Sequence, residues 1–482
     1  MQNGSSSSDG GSFSSAAKAV GIAALVLAVT GSAALSVASA EEARQSEAAR
    51  HTAGPTAGVW RMDGYGTVLK VDRGRVQQYQ TTKVSCLKGT SAKRTSGHGD
   101  RARYVTEDGE AFTLRPAGSR TRASMHIEGS VGDRGLRRIQ ALPGACAREV
   151  PEDPVKTFDV FWQTFDENYP FFAAKGVDWD AVRDRYRPQV TADTTQGELF
   201  AVFRRMVAPL HDAHVAILAG ESGSFGQVRP GTEMPTPQLD AKTRKFIKER
   251  DLAGAEVKAF ARGRISYADL PGDCGYLRIT GFAGYTEKGD QASESAELQR
   301  ALDAVLTPER AASLKGLIVD LRVNGGGSDQ LGLELAARLT DRPYLAYAKR
   351  ARNEPSDATR FTRPQPLYVR PAAGHRYTGH VAVLTGGSTV SAGETFTQAL
   401  MERPGRTLRI GQPTQGVFSD TMERRLPGGW SILLPNEEFR TRHGQTFDGT
   451  GIPPHHLEPV FTDEEFEQGR DSAFDRAVAE LR

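Results

Sequence analysis

Two runs in the C-terminal half, KGLIVDL at 315–321 and HVAVLTG at 380–386, are apolar almost without interruption. A strand with one wet face alternates polar and apolar residues, whereas an unbroken run fits a strand buried on both faces, as in a parallel sheet covered by helices. The surrounding pattern agrees. CGYLRI (274–279), TLRIGQ (407–412) and WSILLP (430–435) read as further strands. Helical segments lie between them: 296–306, with Leu298, Ala301, Leu302, Val305 and Leu306 on one side, a segment through Ala337, and one from Ser391 to about Met401. Strands alternating with helices predict an α/β core over 271–465 with a mainly parallel sheet and crossover helices, and a C-terminal helix over 466–482.

Upstream the texture changes twice. From 58 to 150, short β-branched and aromatic runs broken by Asp-Gly and Arg-Gly turns predict a small all-β domain, a barrel or sandwich. It holds no cluster of catalytic residue types, so a packing or binding accessory is the expectation. Residues 151–220 switch to helical period: Phe158, Phe161, Trp162 and Phe165 mark one face. Thr195 and Glu198 form a capping box before a second apolar face from Leu199 to Leu210. This helix runs into the polar turn HDAHVAIL at 211–218. Residues 221–270 read as an irregular connection with a short helix near Lys242–Arg250.

The N-terminus sets the expected compartment. Residues 1–40 end in 22 uncharged residues closing on Ala38-Ser39-Ala40, the pattern of a secretory signal cleaved before Glu41, followed by a linker over 41–57. An uncleaved anchor is the alternative, because a run of that length just spans a bilayer. Export to the periplasm, envelope or outside permits a disulfide, and Cys86 and Cys146, flanking the β region, are the natural pair. Cys274 is then left as a buried thiol in a strand. Three cysteines without C-x-x-C argue against a structural zinc site. Sixty-one Lys+Arg against 59 Asp+Glu, net +2, argues against a nucleic-acid partner. Nothing after the leader resembles a membrane span.

In α/β sheets, sites form beyond the carboxyl ends of strands. Asn324-Gly325-Gly326-Gly327 follows one buried strand and leaves backbone N–H groups available, yet without G-K-[ST] it gives no phosphate loop. Ser391 follows another strand and opens a helix, a place from which a hydroxyl points out of the fold. The same Ser391-Ala-Gly-Glu394 is equally a capping box, so the local pattern fits a helix start as well as a nucleophile. His211 and His214 share no ligand cluster with other residues, so no metal and no cofactor are expected.

Taken in order, LKGLIVDLRVNGGG, STVSAGETFTQAL, IGQPTQG and FDGTGIPPHHLEPV resemble the tail-specific (C-terminal-processing) serine peptidase family, in its tricorn-core-like branch. FWQTFDENYPFFAAKGVDWDAVRDRY and LHDAHVAIL resemble the helical region before that core. The resemblance covers about 155–460. It implies a crotonase-like, ClpP-like peptidase sheet, a protein or peptide substrate, a nucleophile at Ser391, and an oxyanion hole from the Ala392 N–H and a glycine N–H of Asn324–Gly327, with Gly326 favoured. The family's usual lysine base is absent: its position is Val417, and no lysine occurs from Ser391 to Arg482. The histidine scheme remains, with His214 as base. Such a base needs an orienting acid. Asp448 aligns with an acidic family position, and Glu394 is the rival. His214 to Cys274 is too short and loop-like for the PDZ domain many relatives insert. A non-catalytic ligand-binding or envelope interaction protein on the same core is the competing reading.

Overall fold

The computed structural model describes residues 55–97 and 101–482; the expected signal segment and most of the linker lie outside them. Eight antiparallel strands, from Gly58–Met62 to Arg134–Ile139, pair in sequence order, and the last closes on the first through Val59↔Ile139 to Met62↔Leu136. Closure removes the exposed edges of a small sheet. Alternation drives it: TVLKVD buries Thr67, Val68, Leu69 and Val71 and exposes Lys70 and Asp72. Trp60, Leu69, Phe112, Leu114, Met125 and Leu136 fill the interior. Arg73 and Gly74 both take positive φ, 46° and 74°, so the Asp-Arg-Gly-Arg turn has the hairpin geometry that matches strand twist. A disulfide joins Cys86 to Cys146 across 60 residues, tying the fourth strand to the segment leaving the barrel.

Three helices follow, Pro154–Asn168, Trp179–Tyr186 and Gln196–Val207. The Thr195–Glu198 capping box forms in both directions. The predicted faces meet: Phe161 stacks on Phe203 with ring centroids 3.9 Å apart. These helices share one apolar cluster with the barrel and with Met422, Leu426, Trp430, Ile432 and Leu434.

The core sheet has seven strands. Cys274–Ile279, Gly316–Asp320, His380–Thr385, Thr407–Gly411 and His456–Leu457 run parallel. Leu317 and Val319 pack among the crossover helices, while Ile318 faces the cluster of Phe474, Ala477 and Leu481. The unbroken run is therefore buried on both faces. Cys274 is a free, buried thiol in its strand.

Three expectations are corrected. Residues 221–270 are not merely irregular: Ile265–Leu270 and, at the edge, Lys258–Phe260 extend the core sheet as antiparallel strands, and the helix is Pro237–Arg250, entered by an N-cap from Thr236. WSILLP does not join the core sheet. Ser431–Pro435 pairs with Thr421–Arg425 and with Ala216–Leu218, in a half-buried alternating pattern. The C-terminal helix is two, Asp463–Gln468 and Ser472–Leu481, because Gly469 ends the first in a left-handed conformation and Asp471 caps the second. No helix among the described residues is long and apolar enough to cross a membrane.

Candidate active site

The strands Gly316–Asp320 and His380–Thr385 are parallel neighbours, and the chain beyond each continues into a second short parallel pair, Val323↔Ser388 and Asn324↔Thr389. This places the glycine loop beside Ser391, with Val390 N–H donating to the Asn324 carbonyl at 2.9 Å. Ser391 has φ 55° and ψ −118°, a conformation costing about 1–3 kcal/mol for a residue with a Cβ. The capping box of Ser391 and Glu394 is in place, and its tight contacts run through the Ser391 backbone. Glu394 N–H bonds to the Ser391 carbonyl at 2.7 Å and the Glu394 carboxylate accepts from Ser391 N–H at 3.2 Å. The Ser391 hydroxyl makes no side-chain cap.

Close approach explains the glycines. A Cβ on Gly326, whose φ is +78°, would lie 2.6 Å from Ser391 Cβ, and one on Gly393 would lie 2.7 Å from Asn324 Oδ1. Asn324, fully buried, donates through Nδ2 to the Ile279 carbonyl and accepts Gly326 N–H on Oδ1, both at 2.9 Å. The Gly326 N–H is thus engaged, which corrects its expected place in an oxyanion hole. The N–H groups of Gly327 and Ala392 have no acceptor among the described residues.

His214 reaches this place from the helical region. The left-handed residue His211 ends the helix, and Ala216–Leu218 fastens the far side to Ser431–Leu433. Between them, Asp212 Oδ1 accepts His214 N–H at 2.9 Å, while Asp212 Oδ2 accepts the Tyr169 hydroxyl at 2.8 Å. His214, Gly327 and Ser391 line one cleft of about 530 Å³. Burial lowers the imidazole pKa below its usual value, against the opposing pull of Asp212, Asp420 and the Ser419 carbonyl. Burial thus favours the neutral ring, the form a general base needs.

Neither expected acid meets His214, whose Nδ1 is buried with no hydrogen-bond partner. Glu394 instead accepts the N–H groups of Gly416 at 2.6 Å and Val417 at 2.9 Å besides that of Ser391, binding the 414–417 turn to the nucleophile's backbone. Burial pushes its pKa up to about 7. Asp448 accepts Phe418 N–H at 3.3 Å and the Thr446 hydroxyl at 2.5 Å. Burial, with Asp212 and Glu394 nearby, raises its pKa well above the carboxylate range.

The sequence reading favoured Gly326 over Gly327 within the glycine loop and missed Asp212 and Asp420. Asp420 lines the cleft three residues beyond Val417. Its Oδ2 accepts from Ser130 Oγ at 2.6 Å and Lys349 Nζ at 3.1 Å. Ser130 belongs to the barrel. With Glu110, Ile127 and Gly129 it forms one wall of the cleft, and Ser328 Oγ donates to the Gly129 carbonyl at 2.7 Å. The barrel is therefore part of the cleft's enclosure. A larger cavity of about 720 Å³ between the barrel and residues 349–366 contains neither Ser391 nor His214. No metal-ligating group of three or more residues occurs among the described residues.

Residues 273–457 match the model of peptidase family S41, and residues 151–208 match that of the tricorn protease C1 domain. Residues 273–457 thus form a peptidase family S41 core. The S41 core includes Asn324–Gly327 and Ser391, while His214 lies between the two matched regions. The chain is 24% identical over 202 residues to carboxyl-terminal-processing peptidase 2, chloroplastic, of Arabidopsis thaliana, covering 40% of this chain and 34% of that relative's length. It is also similar to a crystallised candidate peptidase from Parabacteroides merdae, at 26% identity and TM-score 0.58, covering 69% of this chain and 97% of the other.

Proposed function

We propose that this protein is an exported serine endopeptidase that hydrolyses peptide bonds through an acyl-enzyme on Ser391, with His214 as general base. One observation carries the reading: Ser391, held at a positive φ with no side-chain cap hydrogen bond, shares a cleft with the His214 imidazole. A strained turn at a strand-to-helix junction lifts a nucleophile clear of the sheet. In the proposed mechanism His214 takes the Ser391 proton as the oxygen attacks the carbonyl carbon. The N–H groups of Ala392 and Gly327 hold the resulting oxyanion, each such donor being worth about 10²–10³ in rate. His214 then protonates the leaving amine, and water, activated by the same imidazole, releases the acyl group. Asp212 and Asp420 supply the negative charge that stabilises the transient imidazolium. Glu394 acts on the backbone, holding the nucleophile's turn.

The Cys86–Cys146 disulfide and the apolar run ending at Ala40 support export, since disulfides persist in oxidising compartments. The test is hydrolysis of a peptide library by the purified chain and its Ser391→Ala variant. The expected result is a loss of several orders of magnitude on substitution, because nucleophile and base act as a unit. Undiminished hydrolysis by the variant would overturn the assignment.

A further inference from the structure

The charge of the cleft names a substrate class. Five carboxylates (Glu110, Glu128, Asp290, Glu294, Asp420) and two guanidinium groups (Arg103, Arg134) line it. Most of this charge is already answered. Arg103 clasps Glu128 through two hydrogen bonds of 2.6 and 2.9 Å. Glu294 is saturated by the N–H groups of Tyr285 and Thr286 and the Thr286 hydroxyl. Asp290 pairs with Lys288 at 2.7 Å, and Asp420 with Lys349 at 3.1 Å.

One carboxylate is left over. Glu110, at the turn between the fifth and sixth barrel strands, has no ion pair and no side-chain hydrogen bond among the described residues, yet it borders the same cleft as Ser391 and His214. The remaining cation, Arg134, stacks on the Tyr65 ring, 4.3 Å from its centroid, and lies 3.9 Å from Asp420; it attracts Glu110 without pairing with it, while burial and the neighbouring Asp108, Asp420 and Glu423 raise the Glu110 pKa. An anionic cleft walled by low-dielectric protein concentrates cations, and an unpaired carboxylate gains most from a partner that brings its own positive charge.

We propose that the barrel wall selects basic peptide segments, with Glu110 as the specificity residue that receives a substrate Lys or Arg side chain near the scissile bond. The proposal rests on the peptidase reading above but is tested without catalysis. Peptides of equal length, identical except for Arg or Glu at one position, are titrated by fluorescence anisotropy into the full chain carrying Ser391→Ala. The arginine peptide is expected to bind about fivefold tighter or better, as one partly exposed ion pair provides, with the difference shrinking at high salt. Glu110→Lys is expected to reverse the order, and Glu110→Gln to abolish it should the lysine variant fail to fold. Equal binding of both peptides, or an order that survives in the Glu110 variants, would overturn the proposal. Hydrolysis by the chain with Ser391 intact tells the two claims apart. Cleavage without charge preference removes only the role of Glu110, whereas charge-selective binding without cleavage removes only the peptidase chemistry.

Discussion

Replacing Gly326 by alanine probes the nucleophile without touching a reacting atom. The new methyl would lie 2.6 Å from Ser391 Cβ, 2.9 Å from the Val390 carbonyl oxygen and 3.0 Å from Ala392 N. Two of these contacts are backbone, so no side-chain rotation relieves them. Restoring ordinary van der Waals separation moves the Ser391 segment by about 1 Å, and a displacement of that size at a reacting group costs about 10² in rate. The φ of +78° adds about 1–2 kcal/mol for an L-residue in the left-handed region. The rate of Ser391 modification by a fluorophosphonate is expected to fall about 10²-fold. Circular dichroism should show an intact fold with a lowered Tm. A Gly326→Ala variant that reacts at the original rate would show that the glycine loop does not abut the nucleophile.

Two further perturbations address the charges around the base. Burial already holds the His214 pKa below the usual imidazole value, and Asp420 opposes that shift. Asp420→Asn removes the opposing anion while keeping an acceptor for Ser130. The acidic limb of the kcat/KM profile is expected to move to lower pH, and the plateau rate to fall about tenfold through loss of imidazolium stabilisation; an unmoved limb would contradict the electrostatic role. Glu394 has a folded-state pKa near 7, above its ordinary value of 4.5, so the folded chain binds more protons than the unfolded one between these values. Its contribution to stability is present below about pH 4.5 and is lost as pH rises through about 7. Denaturant unfolding at pH 5 and pH 8 is expected to show that decline, and Glu394→Gln to reduce the slope.

The parts legible in the sequence are those set by local periodicity. The double-sided burial of Gly316–Asp320 follows from its unbroken apolar run, and the Thr195–Glu198 cap from four residues of pattern. Ser391–Glu394 has the same spelling and also forms a box, but at a φ of 55° Glu394 N–H bonds to the Ser391 carbonyl and the hydroxyl makes no cap hydrogen bond. Which glycine N–H stays free was not legible: it turns on Asn324 curling back to Gly326. The half-buried alternation of Ser431–Pro435 signals a partner sheet outside the core, but in so short and apolar a run it is easily masked. The Ser130–Asp420 contact joins residues 290 apart in sequence, and no periodicity carries it. The role of the barrel as a cleft wall lies entirely in such contacts.

The central claim, that Ser391 is a nucleophile activated by His214, is tested most directly by fluorophosphonate labelling of the folded chain with the adduct located by mass spectrometry. A single adduct on Ser391 is expected, absent in Ser391→Ala and strongly slowed in His214→Ala. A folded chain that takes up no label, or carries it on another residue, would contradict it.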